Sequence, residues 1–547
     1  MLTVESTSMP QQLPSAELPV WRRALAVLRP SHSHSAFTAT VLLTAVALLS
    51  KIISLVRTKY IMHVLGRSAQ ADAYTAMFQL PDTIQYFLIG GATSITFVTM
   101  LTRYRESGRE REGEEALSVI FTTMMLVLSV AVLLAEILAP LYVRVAFPGF
   151  LSDPAKFALC VHLTRIMLPG QVFFFGSGVF AAFLLARRQF TMQAFAPLIY
   201  NIGMIAGGVA LYRYLGVSAI AWGGLAGVIL GPFAVNGFEA RRAGMRLKLH
   251  LDWGNRGLRE WFGITLPLIL GFSLVTVDSW IISHFASRIG GAVALLGYAK
   301  QIFSVPQALG QAAGAASLPF LATLYGRKTA AGEPDPSPFA RSVNESVSRL
   351  AAVSLLLSSW MVAMAGPAVD LVFRGGLFHR ADAGTMAVYF AIFSVSLCFW
   401  SAQAIYARAF YATANTVTPM IAATLVTLAS LPIYELLFRL HGAVGLAVAS
   451  DIGITVQAIV FAVLLHQRRM VPLGGLHWKE LARSLAASAA SAALLRGLMR
   501  FGGHPATRLG ELVLLTGSLL LWIGTCYGVL QVTGSALPGQ LMARFRR

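Results

Sequence analysis

The chain has 547 residues, 56% of them hydrophobic and only 12% charged, with a formal net charge of +19. A soluble domain carries roughly 25% charged residues, so half that charge cannot clothe a water-facing surface, and the composition excludes a soluble globular enzyme. The basic surplus is scattered over many short loops, which argues against a nucleic-acid partner and for loops that meet anionic lipid headgroups.

Taken in chain order, residues 1–35 form a polar stretch with Pro10, Pro14, Pro19 and Pro30. The apolar run Ala24 to Leu28 behind Arg22-Arg23 is too brief for the h-region of a signal peptide. This stretch is expected to be a cytoplasmic tail, with His32 and His34 in solvent. Apolar segments then follow near 38–62, 74–102, 117–146, 157–186, 190–212, 216–238, 261–287, 292–325, 346–373, 384–412, 417–438, 442–466, 482–500 and 510–533. A spanning helix needs about 20 mostly apolar residues, so the expected fold is an all-α polytopic membrane protein of about fourteen transmembrane helices. Pro81 and Pro306 are expected to kink the second and eighth segments. Cys160, Cys398 and Cys526 stand far apart in apolar runs and are expected to be buried small hydrophobes. With the N-terminus inside, 25 Lys and Arg fall on the inner side and 11 on the outer side. That bias favours both termini in the cytoplasm and an even number of helices.

An internal repeat is visible. Phe78-Gln79-Leu80-Pro81, then Gly91-Ala92 and Phe97, is matched by Phe303-Ser304-Val305-Pro306, then Gly314-Ala315 and Phe320. Ala186 to Pro197 precedes an apolar helix and Leu215-Gly216-Val217, while Ala409 to Pro419 precedes another and His441-Gly442-Ala443. The matched elements are six helices apart, so the two copies have the same orientation, related by an axis along the membrane normal. The expected organisation is a tail (1–35), an N-lobe of helices 1–6 (36–240), a C-lobe of helices 7–12 (241–470), and helices 13–14 with a cytoplasmic C-terminus (471–547), the two lobes flanking a central cavity.

Ionisable side chains at membrane depth cost about 2.5–3.5 kcal/mol each on insertion scales, so each needs a wet cavity or a partner. The cationic set is Lys51, Arg57, Lys59, Arg165, Lys300, Arg349 and Arg408. Lys51 and Arg57 are read as holding phosphate oxygens of an entering substrate, with Lys300 as a further contributor and Asp72 as a partner for Arg57. Asp278, Glu435 and Asp451 all fall in the second lobe. Carboxylates meeting at low dielectric require a proton or a cation between them, which suggests a Na⁺ or H⁺ site with Ser450 as a neutral oxygen ligand. Glu136 and Asp370 are expected to be solvated near helix ends. The sequence holds no Walker-A loop, no H-E-x-x-H and no G-x-S-x-G, so the expectation is a transporter rather than an enzyme, driven by an ion gradient, the membrane potential or its substrate's own gradient.

The run from Ser50 to Tyr104 (SKIISLVRTKYIMHVLGRSAQADAYTAMFQLPDTIQYFLIGGATSITFVTMLTRY) resembles the opening of the MurJ/MviN lipid II flippases, within the multidrug/oligosaccharidyl-lipid/polysaccharide exporter superfamily. Phe147-Pro148-Gly149-Phe150, Ala194 to Pro197 with Tyr200-Asn201, and Arg408 to Pro419 extend the resemblance over about residues 38–533. It implies a bacterial cytoplasmic (inner) membrane protein that moves an undecaprenyl-pyrophosphate-linked peptidoglycan precursor to the outer leaflet by alternating access. It also implies a polyprenyl-tail groove at helices 13 and 14 and, as in some members, a sodium site among helices seven, eleven and twelve. Arg57 and Asp72 keep the family's residue types, while Lys51 stands where Arg is usual, so charge is kept and bidentate geometry lost. Thr58, Gln85, Gly90, Gln301 and Ser304 replace charged family residues, and Lys300 lies beside Gln301. The substrate-binding candidates are therefore Lys51, Arg57, Asp72, Gln85, Lys300 and Gln301, and the ion-site candidates Asp278, Glu435, Ser450 and Asp451. The expected partners are an undecaprenyl-linked glycolipid and membrane lipids, with the oligomeric state open. Alternative readings are a flippase for another polyprenyl-linked oligosaccharide, an ion-coupled exporter of small molecules, and a transport-inactive scaffold.

Overall fold

In hydrocarbon every backbone N–H and C=O must find its partner within the chain, and a continuous helix does this most simply. The computed structural model describes residues 36–85, 107–187, 191–269, 274–326, 337–413, 415–502 and 507–539, with a few single positions between 97 and 104. The N-terminal tail, Gly90 and the last eight residues lie outside that set. Among the described residues there is no β-strand, and one isolated bridge joins Gly375 to Phe378.

The first half comprises α1 (Ala36–Leu65), the short α2 (Ala69–Ala76) and α3 (Gln79–Ile84), α4 (Glu110–Ala146), α5 (Pro154–Met167), α6 (Gly170–Ala186), α7 (Thr191–Leu215), α8 (Ser218–Val228) and α9 (Ala234–Arg242). The second half comprises α10 (Arg256–Ile269), α11 (Leu274–Ala286), α12 (Ala292–Tyr325), α13 (Ser337–Phe373), α14 (Arg380–Val395), α15 (Leu397–Ala412) and α16 (Val417–Gln467). Finally, α17 (Trp478–Gly502) packs on α13, and α18 (Arg508–Val532) packs on α17 and α13. Among the described residues seven continuous helices are long and apolar enough to cross a bilayer, and the bent pair α14–α15 would make an eighth. One of the seven, α16, has 51 residues, about 75 Å of helix, which is two crossings rather than one.

Gly442 divides α16 at φ 58° and ψ −134°. Gly216, between α7 and α8, has φ 56°. A left-handed residue lets the chain reverse at once, and glycine alone takes it without a Cβ penalty. These are the glycines that the repeat places in register, so the two halves turn by the same device at the same point. Close packing follows where glycines face glycines. Gly203 and Gly207 of α7 lie against Gly223 and Gly227 of α8, where a Cβ on Gly207 would stand 2.6 Å from the Gly223 backbone. Small residues four apart let two helix backbones touch inside a membrane.

The second segment breaks at Met77-Phe78, between α2 and α3. Pro81 has no N–H for the carbonyl four residues back, so the interruption falls at Met77. In contrast, α12 stays helical through Pro306 and Pro319. Cys160, Cys398 and Cys526 are all buried.

The end of the bundle where α1 begins is called proximal here, and the end where α1 finishes at Leu65 is called distal. At the distal end one apolar core runs through both halves, from Ile61, Met62, Phe147 and Phe150 to Leu296, Phe373 and Phe393. At the proximal end there are two separate cores. One gathers Ile120, Phe175 and Phe183 with Trp261, and the other Leu321, Phe339, Phe410 and Phe461.

Candidate substrate cleft

Lys51, Ser54 and Arg57 lie along α1, where it faces α7 and α12. Gln301 Nε2 on α12 donates to Ser54 Oγ at 2.8 Å. One turn closer to the start of α1, Lys51 Nζ lies 3.5 Å from Ser304 Oγ, so this exposed ammonium is directed at the other half of the molecule. Arg57 is half-buried. Its Nη1 donates to the Met204 sulfur at 3.4 Å, a weak acceptor, and its Nε has no partner among the described residues. Asp82, Tyr74, Tyr200 and Tyr298 are within its electrostatic reach. Arg57 thus retains donor capacity that no side chain around it absorbs. Asp82 on α3 is water-accessible, and Gln85, which follows α3, is half-buried with no contact that joins it to Lys51 or Arg57 among the described residues. Asp82 did not stand out in the sequence. Thr58 is buried and bonded to Ser54 O.

Asp72 does not pair with Arg57. It is fully buried and accepts from Lys156 Nζ at 3.1 Å, Gly291 N at 2.8 Å and Ala294 N at 3.0 Å. Ser68 caps α2 by accepting from Ala71 N, which sets Asp72 in the first turn, aimed at the start of α12. The carboxylate therefore satisfies two of the orphan N–H groups of α12 and meets the positive end of its dipole. Lys156, counted from sequence among the loop charges, is held between Asp72 and the face of Phe150, 4.9 Å from the ring centre. Nothing local in the sequence marks it as buried. Asp72 thus joins the two halves at the distal end.

Asp278 on α11 is the centre of a second buried group. One carboxylate oxygen accepts from Tyr434 OH, the other from Lys300 Nζ and from Ser450 Oγ at 2.8 Å. Lys300 Nζ also reaches Ser279 Oγ at 3.1 Å and lies 5.9 Å from the centre of the Phe393 ring. Asp278 and Ser450 thus do come together, with Lys300 lodged at that second site rather than in the cleft with Arg57. Asp451 stands nearby, its Oδ1 held by Ser396 Oγ at 2.6 Å. Glu435 is elsewhere, bonded to Arg439 at 2.5 Å and facing Arg288 at 3.9 Å. Its position four residues before Arg439 on one helical face explains that choice.

Asp370 is buried rather than solvated. It pairs with Arg374 at 2.8 Å, and Arg374 reaches the buried Glu511 of α18 at 3.4 Å. Arg508 Nη2 donates to Arg374 O at 3.2 Å, so α18 is tied to α13 at the distal end. Arg349 pairs with Glu345 on an exposed face, and Arg165 donates to Glu136 O. Neither points to a substrate role.

The distal seam is closed by further backbone contacts. Leu377 N donates to His63 O at 2.9 Å, Gly149 N to Ser287 Oγ at 3.1 Å, and Arg67 to Gly290 O at 3.3 Å. The proximal seam has α10 against α4 and the ion pair of Arg103 with Glu260. Beside that pair is an open cleft of about 770 Å³ lined by Arg103, Arg109, Arg256, Arg259 and glutamates.

The family model described as lipid II flippase MurJ matches residues 61–505. A protein named probable lipid II flippase MurJ from Rhizobium meliloti (strain 1021) is 28% identical over 78% of this chain and 80% of its own length. The lipid II flippase MurJ of Burkholderia cenocepacia is 26% identical over 91% of this chain and 97% of its own. Among solved structures, a lipid II flippase MurJ in an inward closed conformation superposes with TM-score 0.74 at 19% identity, over 90% of this chain and 99% of that one. An inward-facing multidrug resistance MATE family transporter superposes with TM-score 0.61 at 13% identity, over 78% and 97%. At those identities the structural matches speak to the fold alone, whereas the family model spans most of the sequence. The chain belongs to the lipid II flippase MurJ family.

Proposed function

We propose that this protein is a lipid II flippase, carrying an undecaprenyl-pyrophosphate-linked peptidoglycan precursor from the inner to the outer leaflet by alternating access. The observation that carries this reading is the state of Lys51 and Arg57. Both are cations at membrane depth, neither has a carboxylate partner in contact among the described residues, and Lys51 is directed at the opposite half. A diphosphate supplies what they lack. Arg57 offers a planar fork suited to two phosphate oxygens, and Lys51 a point charge that tolerates several geometries. Gln85 and Gln301 add neutral amides, suited to sugar or peptide groups. Only 11% of the most apolar stretch of α18 is buried, so α18 offers a lipid-facing surface along which a polyprenyl tail can stay in hydrocarbon. With both termini in the cytoplasm, as the Lys and Arg distribution favours, the distal seam faces outward and the conformation described is shut on that side.

The test is rescue of a strain depleted of its own lipid II flippase. The wild-type chain is expected to restore growth, and Arg57→Ala, expressed at the same level, to lose it. A lost charge-assisted contact of about 1.5–3 kcal/mol corresponds to roughly ten- to a hundredfold weaker headgroup binding. Full rescue by Arg57→Ala removes Arg57 from the site. No rescue by well-expressed wild-type protein redirects the reading to another polyprenyl-linked oligosaccharide.

A further inference from the structure

The resemblance implies a sodium site among the helices that meet at Asp278, and the residues present do not fit a free ion. Hard cations are held by several oxygens that each turn a lone pair toward the metal. Around Asp278, the hydroxyls of Tyr434 and Ser450 point their protons at the carboxylate instead, and the remaining approach is taken by the Lys300 ammonium. Glu435 is engaged with Arg439 and Arg288, and Asp451 with Ser396. Among the described residues no group of three His, Cys, Asp or Glu side chains could hold a metal.

We infer that Lys300 is the resident cation of this site: its tethered ammonium occupies the place of a coupling ion, so the charge of Asp278 is balanced without Na⁺. The surroundings are those of a cation-binding nest. A carboxylate, the Ser279 hydroxyl at 3.1 Å and the face of Phe393 meet the ammonium on different sides. The Lys300 side chain is 18% exposed and that of Asp278 3%. A buried carboxylate so nearly sealed from water requires a counter-charge, and the chain supplies its own from the helix that also carries Gln301 and Ser304. The ammonium cannot leave by diffusion, so no Na⁺ gradient acts through Asp278.

The inference is about ion occupancy and does not depend on which headgroup is carried. Full-length protein in lipid nanodiscs is melted, by intrinsic tryptophan fluorescence, in NaCl, KCl and choline chloride at matched ionic strength. For the wild type the three curves are expected to coincide. In Lys300→Met the nest has lost its cation, so melting temperature is expected to rise with the logarithm of Na⁺ concentration, as ligand binding to the folded state requires. In the double variant Lys300→Met with Asp278→Asn the Na⁺ effect is expected to vanish. A Na⁺-specific shift in the wild type that Asp278→Asn abolishes overturns the inference, and this arm decides even if Lys300→Met cannot be purified. Indifference of a folded Lys300→Met to every cation also overturns it, because the nest would then not be a cation site.

Discussion

The two ends of the molecule close in different ways. At the distal end the halves share one apolar core, a buried carboxylate bonded to two backbone N–H groups, and backbone contacts that leave no room for a methyl group. At the proximal end the cores are separate, one of them enclosing Leu258 and Trp261 of α10 among first-half side chains, and the polar contact there is an ion pair whose side chains are 55% and 29% exposed, beside a charged cleft. Buried, fully bonded contacts resist opening because each broken partner leaves a desolvated group behind. Exposed ion pairs exchange with water at little cost. The lesson is that the distal side is held shut by buried polar groups that are bonded across the seam, whereas the proximal side is held by the apolar seating of Leu258 and Trp261 of α10 against the first half, with only solvated ion pairs beside it. Opening the distal side requires the contacts of Asp72 with Lys156, Gly291 and Ala294 to break.

Removing the clamp is the most severe way to break that comparison. Asp72→Ala strands the Lys156 ammonium and two N–H groups of α12, and it should cost about 3–5 kcal/mol. The expected result is a large drop in melting temperature, with a milder one for Asp72→Asn, which keeps an acceptor. Unchanged melting of Asp72→Ala would show that the distal seam does not depend on this carboxylate. A smaller effect is expected from Gly376→Ala. Gly376 sits at φ 58°, and an added Cβ would fall 2.2 Å from His63 O, so strain of roughly 1–3 kcal/mol should loosen the loop that pairs with the end of α1. Greater labelling of a cysteine introduced near Leu377 would register that loosening, and no change in labelling would count against it. The smallest effect belongs to Glu260→Gln. Loss of one exposed pair should shift stability by about 0.2–1 kcal/mol, and added salt should produce the same shift in the wild type. A drop as large as that of Asp72→Ala would reverse the ranking of the two seams.

Much of the fold was legible because lipid imposes a simple rule, and the two-fold repeat was legible because turns are chemically narrow. Gly216 and Gly442 share a register in sequence and a left-handed φ in space. The direction of Lys51 could be read from an unpaired cation at membrane depth. What could not be read was which acid meets which base. Lys156 lies 84 residues from Asp72, and in sequence it is another loop lysine; only the folding of α5 against α2 encloses it. Asp278 and Lys300 were both visible but fell into different roles, because the donors that meet Asp278 come from three other helical stretches. Asp370 misled for the opposite reason: a helix end suggests water, and packing of α18 with its buried Glu511 over the end of α13 removes it.

The three thiols have a practical bearing on the mechanism. Cys160, Cys398 and Cys526 are 0%, 8% and 6% accessible, and a thiol shielded from water reacts slowly with polar maleimides. The natural chain therefore serves as its own low-background host for paired spin labels or fluorophores. A pair of probes across Arg103 and Glu260, and in a second variant a pair across His63 and Leu377, would allow the widening of each mouth to be followed without first rebuilding the interior.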